Sequence, residues 1–540
     1  MSDLKEYIVT AASYEILDDL CNDIETPGGN LYIPNRAVEV ANIRPLSRNT
    51  HYYLTAEEAE LIRQDPRVLA VELLPDELNL IPTPSYIQTE TTWNRTANNS
   101  VFDKNWGLLR VFEGQNRPNW GSNATANQTG TIDISPTGKN VDVVIVDGMI
   151  DPNHPEFAVN SNGTGGSRVN QYNWYKHNPE VTGGAAGVYV YTPYTGTSAE
   201  ANNNHGAHVA GTVAGNTQGW ARDSTIYNIY PYGTNPSAVY LFDYIRAFHR
   251  SKPINPNTGV RNPTVTNSSW GYRSLTAYTN ITSVSYRGTT YIGPFTIEQL
   301  RGYGINVNAS NQVILTSRYT AVDTDIADAI AEGIIVIGAA GNNFQKSDVV
   351  GGPDYNNYAV YSGTRYYYNR GMSPAAATGA ICVGAASALL NESKATFSNC
   401  GPRVNVYAPG DNIASSFNSS SSFGGVADPR NPSYFIGKID GTSMASPQVC
   451  GVLACVMEMY PNLTQAQANA YITTYAKMDQ MTETTGGPAD YTDLQGSENK
   501  YLAYVKERKD SGEVYPKNNY KARPTAGPVF PRTRVQRFGS

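Results

Sequence analysis

Asp440-Gly441-Thr442-Ser443-Met444-Ala445-Ser446-Pro447 runs straight into an apolar stretch, residues 449–459. Val449, Val452, Leu453, Val456 and Met457 repeat at helical spacing, so a buried helix is expected to start near Ser443. Gly441 supplies a turn in front of it. A serine at that point has two chemical advantages. Its hydroxyl is held outward, and the unpaired N–H groups of a helix start can face a developing oxyanion. The plain alternative is a serine that only caps a core helix. These eight residues alone do not choose between the two.

From Trp106 up to this stretch the chain alternates strand and helix patterns. Residues 141–146, VDVVIV, are apolar but for Asp142 and end in Asp147-Gly148. Such a run suits a parallel sheet covered on both faces. Further strands are expected at 226–230, 264–267, 333–337 and 381–385, with helices at 238–249 and 324–332. The fold class expected is α/β, a doubly wound, mostly parallel sheet. Segments 160–204 and 274–320 are rich in Gly, Asn, Thr and Tyr and are longer than ordinary connections, so both are expected as surface insertions.

Three other positions could carry chemistry. Asp147 closes an apolar strand, and in open α/β sheets sites form at the carboxyl ends of strands; a turn or cap aspartate is the alternative. His205 lies in NHGAHVAGT (204–212), where small neighbours suggest a tightly packed helix, and imidazole suits proton transfer near neutral pH. His205 and His208 would share one helix face as a metal pair, but no third ligand is visible at a recognisable spacing. Asn342 follows the strand-and-glycine run IIVIGAAG (334–341). Its amide could donate to an oxyanion, or it could be a left-handed turn residue.

Taken in order, Asp147, His205, Asn342 and Ser443 each sit at the edge of a regular element. VDVVIVDGMIDPNHPEF (141–157), HGAHVAGTVAG (205–215), VTNSSWG (265–271), VIGAAGN (336–342), VYAPGDNIASS (406–416) and DGTSMASPQVCG (440–451) together resemble the subtilisin-like serine proteases, the subtilases. The resemblance covers residues 106–505 and implies a serine endopeptidase. Ser443 is then the nucleophile, His205 the base and Asp147 its orienting carboxylate, with Asn342 in the oxyanion hole. It also implies that Ser269, Trp270 and Gly271 pair with the substrate backbone, and that Ala339, Ala340 and Gly341 form another wall of the specificity pocket. Gly148 stands where the family usually has Ser or Thr, and Ala207 where it usually has Thr. No cofactor is implied for the chemistry. Structural calcium remains unassigned, with Glu156 resembling a calcium-ligand carboxylate and the metal site unknown.

Residues 1–78 are expected to form a small α+β module. Thr55-Ala56-Glu57-Glu58 reads as a capping box there. LTAEEAELIRQDPRVLAVELLP (54–75) resembles the family's propeptide, which implies an intramolecular inhibitor. Residues 79–105, rich in Pro, Thr and Asn, read as a linker holding a processing junction. A second capping box is expected at 464–467. Residues 506–540 read as a basic, Pro-rich extended tail, either solvated or docking a protein partner.

Composition bounds the rest. The 540 residues are 40% apolar and 16% charged, which suits a globular core, and a net charge of −7 gives no general attraction to nucleic acid. Five cysteines do not make a disulfide framework. No apolar run reaches the length of a membrane span. The charged N-terminal stretch does not read as a signal peptide, so localisation is left open between a particle and the outside of a cell. The Tyr- and Asn-rich insertions keep a second reading, a particle-associated structural or adhesive protein that retains a protease fold.

Overall fold

The computed structural model describes residues 4–73, 106–116 and 134–504, apart from 14, 32–37, 44–48, 135, 183–192, 198–203, 232–240, 319, 420–424 and 484–492. Two compact units result, one within residues 1–84 and one within 85–506. The linker 79–105 and the tail 506–540 lie outside the described residues.

In the first unit, β1 (Lys5–Ala11), α1 (Leu17–Glu25), β2 (Glu39–Ile43), β3 (Asn49–Leu54), α2 (Ala56–Arg63) and β4 (Val68–Leu73) build an antiparallel sheet of order β2-β3-β1-β4 with two helices. Alternation puts Tyr7, Val9 and Ala11 on one face of β1. They share a core with Leu17, Leu20 and Ile24 of α1 and with Ala59 and Ile62 of α2. The expected capping box is present: Thr55 Oγ1 accepts from Glu58 N–H, and Glu58 Oε2 accepts from Thr55 N–H.

The second unit is organised by apolar strands that need cover on both faces. In chain order it contains α3 (Trp106–Glu113), β5 (Asp142–Val146), β6 (Val169–Asn170), α4 (Asn204–Ala214), β7 (Thr225–Ile229), α5 (Leu241–Ser251) and β8 (Thr264–Ser268). Then come β9 (Arg273–Ala277), β10 (Ile281–Tyr286), β11 (Thr289–Ile292), β12 (Gln312–Thr316), α6 (Thr320–Ala331), β13 (Ile335–Ala339), β14 (Tyr358–Tyr361), β15 (Thr364–Tyr366) and β16 (Ile381–Ala386). β17 (Val406–Pro409), β18 (Ile413–Phe417), β19 (Val426–Asp428), β20 (Asn431–Ile439), α7 (Thr442–Met459), α8 (Gln465–Thr474), β21 (Lys477–Met478) and β22 (Lys500–Tyr501) follow, and two short helices, Asn178–Thr182 and Ile297–Gly302, lie among these elements.

The main sheet has the order β21-β22-β17-β16-β13-β8-β5-β7-β6 and is parallel except for β21. From β5 the chain first builds outward through β6 and β7, then returns to build the other side from β8. The order therefore reverses between β5 and β8, and a crevice at their carboxyl ends follows from that topology. Val143 and Ile145 of β5 pack with α4 and α7 on one face, while Val144 and Val146 pack with α5 and α6 on the other. Asp142, the one charge in the run, is neutralised within 2.9 Å by buried Lys252. The capping box at Thr464 and Gln467 opens α8.

Two expectations need correction. Segment 160–204 is not all surface insertion, because β6 is the edge of the main sheet and Trp174 is buried, its indole N–H donating to Asn228 O at 2.8 Å. Segment 274–320 is an ordered layer. β9 pairs with β12, and β10 lies between β11 and β14 over a core of its own that includes Val284, Leu300, Leu315 and Tyr368. It remains an insertion, but Thr and Tyr are good strand formers once one face is covered, so it is built as strands. The helix expected at 324–332 begins earlier, at Thr320, and the strand expected at 333–337 is shifted to Ile335–Ala339. Among the described residues no helix is long and apolar enough to cross a membrane.

Candidate active site

Four segments reach the crevice. Asp147 follows β5 and is fully buried. Asn228 holds its loop by donating Nδ2–H to the carbonyls of Ile145, Asp147 and Gly148 at 3.1–3.2 Å. His205 is the second residue of α4. The start of that helix is tied down by Asn204, whose side chain exchanges two hydrogen bonds with the backbone of Ser419. Asn342 follows β13, and Ser443 lies in the first turn of α7.

His205 Nδ1–H donates to Asp147 Oδ1 at 2.7 Å, which leaves Nε2 facing outward. Gly148 N–H donates to the same oxygen at 2.6 Å. Asp147 Oδ2 is buried with no hydrogen-bond partner, and a glycine at 148 offers it no hydroxyl. Burial pushes the imidazole pKa of His205 down, but the Asp147 carboxylate pulls it up by more, and the net is above the ordinary histidine value. His208 does not join it as a metal pair. It turns into the interior, bonds Ile413 O through Nε2 at 2.8 Å, and burial drives its pKa to about 3.

Gly441 has φ 155° and ψ 158°, a region open essentially to glycine, and this turn delivers Thr442 and Ser443 at the helix start. Pro447 falls within the same helix. The Ser443 hydroxyl donates to Ser269 O at 3.1 Å rather than to His205, so the expected hydroxyl–imidazole contact is not made in this rotamer. Rotation about Cα–Cβ redirects the hydroxyl, and such bonds are often loose without substrate.

Asn342 is exposed, and its orientation is set by Thr442. Thr442 N–H and Oγ1–H both donate to Asn342 Oδ1 at 2.8 Å, so Nδ2 is turned toward the cleft. The left-handed position of this turn is Gly341, φ 106°, not Asn342. A Cβ there would come within 2.5 Å of Asn399 Nδ2. Thr442 was missed as a positioning residue, although it stood inside the motif.

The cleft has a volume of about 360 Å³ and is lined by His205, Ser443 and Asn342 together with Ser269, Trp270, Gly271, Ala339 and Gly341. Ala340 is placed elsewhere, in a buried cluster with Ala375 and Cys382. Alternation along the strand end turns it away from the cleft. Met372 and Arg273, which no motif marked, also line it. Met372 packs between the two walls, so close that a Cβ on Gly271 would lie 2.4 Å from its Sδ and one on Gly341 2.9 Å from its Cε. Glycine at both positions leaves room for that side chain.

Glu156 is not free to bind a cation. It is buried, ion-paired to Arg430, and accepts from Thr217 Oγ1 at 2.6 Å and from the N–H groups of Thr217 and Gln218. Burial alone would raise its pKa, but Arg430 and these donors hold it at about 2. Among the described residues no group of three or more His, Cys, Asp or Glu side chains is arranged to hold a metal.

Residues 138–502 match the Subtilase family. The chain is a subtilase. Its doubly wound sheet is the subtilisin-like fold. Similar proteins include the extracellular serine proteinase of Thermus sp. (strain Rt41A), 26% identical over 372 residues, covering 68% of this chain and 64% of that one. Another is subtilisin-like protease 8 of Arthroderma otae (strain ATCC MYA-4605 / CBS 113480), 24% identical over 392 residues, covering 73% and 59%. The match thus spans less than two thirds of the length of these relatives. A solved cold adapted subtilisin-like serine proteinase is 20% identical with a TM-score of 0.45, covering 75% of this subtilase and 100% of that chain.

Proposed function

We propose that this subtilase is a serine endopeptidase acting through Asp147, His205 and Ser443. The observation that supports this best is the 2.7 Å Asp147–His205 bond beside a cleft that Ser443 and Asn342 also line. Ser443 Oγ attacks the scissile carbonyl while His205 Nε2 takes its proton and later passes it to the leaving amine. Asp147 keeps the Nδ1–H tautomer and stabilises the imidazolium. Asn342 Nδ2 and the N–H of Ser443 receive the oxyanion. One such donor is worth about 3–4 kcal/mol of transition-state stabilisation. Extended substrate lies along Ser269–Gly271 by strand addition, while Ala339 and Gly341 form another wall of the side-chain pocket and Met372 shapes it. The chemistry needs no cofactor.

We further propose that the first unit is a propeptide and that the enzyme cuts its own junction within residues 79–105. Support comes from the separate α+β unit and the complete catalytic set downstream. Incubated wild type is expected to shorten to a chain beginning in that segment, read by intact mass, while Ser443→Ala stays full length. Equal cleavage in both, or in neither, counts against self-processing. Nothing in the fold or the comparisons favours the structural or adhesive alternative.

A further inference from the structure

A second cavity, of about 490 Å³, lies where the inserted layer meets α6. Arg318, Arg365 and Arg370 line it together with Tyr355, Tyr367 and a single carboxylate, Asp323. That carboxylate is already engaged. Arg318 binds its Oδ2 at 2.7 Å, and Ser373 Oγ donates to its Oδ1 at 2.6 Å. Arg370 is held by neutral groups only. Its Nε donates to Tyr355 O at 3.1 Å, its Nη2 to Asn356 Oδ1 at 2.8 Å, and its guanidinium lies 3.6 Å over the Tyr367 ring. Those bonds leave Nη1. Arg365 is exposed and rests 4.9 Å over the Tyr358 ring. Among the described residues neither Arg365 nor Arg370 has a carboxylate partner. A guanidinium stacked on an aromatic ring is pre-organised to donate to a carboxylate, Arg370 through its Nη1–H groups.

This cavity is tied to the cleft through the backbone. Ser373 N–H donates to Ser317 O, Ser317 N–H to Tyr272 O, and Tyr272 N–H to Ser373 O, at 3.0–3.2 Å. Ser317 lines the cavity, while Gly271 and Met372, the neighbours of Tyr272 and Ser373, line the cleft. Arg273, exposed on the cleft wall, stands opposite Thr316 in the β9–β12 pair, two residues from Arg318. It too has no carboxylate partner among the described residues. The same hydrogen-bonded backbone therefore borders both the cleft, where Arg273 stands, and the cavity.

We infer that the cavity is an exosite for an acidic segment of the polypeptide that the cleft engages, with Arg365 and Arg370 as its carboxylate-binding groups. This rests on the endopeptidase reading and names its substrate class. The test uses full-length Ser443→Ala, which binds without cutting, and two labelled peptides that differ only in a Glu/Asp-rich segment and its Gln/Asn counterpart. Anisotropy is expected to show the acidic peptide binding about tenfold tighter at low salt, the advantage shrinking with ionic strength. In R365Q/R370Q the two peptides are expected to bind within about twofold of each other. R365Q alone, at an exposed position, is expected to lose part of the preference and serves if the Arg370 change disturbs its loop. Equal binding of the two peptides, or a preference untouched by these substitutions, overturns the proposal. So does binding of inorganic phosphate that depends on both arginines while the acidic peptide has no advantage. Failure of wild type to cleave either peptide under conditions where it binds them would count against the endopeptidase reading and leaves this binding result to be read independently.

Discussion

His205 sits between a buried carboxylate and an open cleft, and its proton affinity follows from that position. Asp147 raises the imidazole pKa above the ordinary 6.5 despite the opposing effect of burial. A general base works only when neutral. The kcat/KM for peptide cleavage is therefore expected to be flat at alkaline pH and to fall tenfold per unit once pH drops through a value above 6.5. In Asp147→Asn the acid limb is expected to move down, with the rate reduced by about 10³–10⁴. An unmoved limb would assign the titration to another group. The four side chains proposed to act were legible as a group because each stands inside a local motif with its own spacing. Thr442 and Met372 were not. Thr442 lies in the most informative stretch of the chain, but its partner Asn342 is 100 residues away. Met372 fits because two glycines, Gly271 after β8 and Gly341 after β13, leave it room.

At the scale of elements, an ion pair joins the short helical turn Pro155–Phe157 to the hairpin turn between β19 and β20. Glu156 and Arg430 are 274 residues apart, and no local pattern could have paired them; the carboxylate alone suggested a cation site. The carboxyl is held at about 2, below its ordinary 4.5, so its stabilisation is present above 4.5 and lost as pH falls toward 2. Arg430→Gln leaves two buried carboxylates, Glu156 and Asp428, without their shared cation. The expected loss at neutral pH is about 3–5 kcal/mol, narrowing on acidification, read as the shift in denaturant midpoint at pH 7 and pH 3. A loss below about 1 kcal/mol at pH 7 would show the pair to be dispensable. Strands β5, β7, β8, β13 and β16 of the main sheet were expected, β5 from its apolar run 141–146, while β6, β17 and β21 were not. The inserted segment was expected as an insertion, but its strands were not, because half-exposed Thr- and Tyr-rich stretches give no clear period until the cross-strand partner is known.

For the molecule as a whole, function depends on topology bringing distant positions to one rim. β5 and β8 flank the reversal of strand order; Asp147 follows the first, and Ser269 follows the second. α4 and α7, packed on one face of the sheet, bring His205 and Ser443 to the same crevice. The sequence order of the motifs indicated this convergence, while the side-chain rotamers could be known only from coordinates. The most direct measurement is labelling of the full chain by a fluorophosphonate probe, followed by peptide mapping and repeated on His205→Ala. The account predicts one adduct, on Ser443, nearly abolished in His205→Ala and slowed as pH falls below the raised imidazole pKa. A folded, processed wild-type chain that carries no adduct on Ser443, or a His205→Ala chain that labels equally, would contradict it.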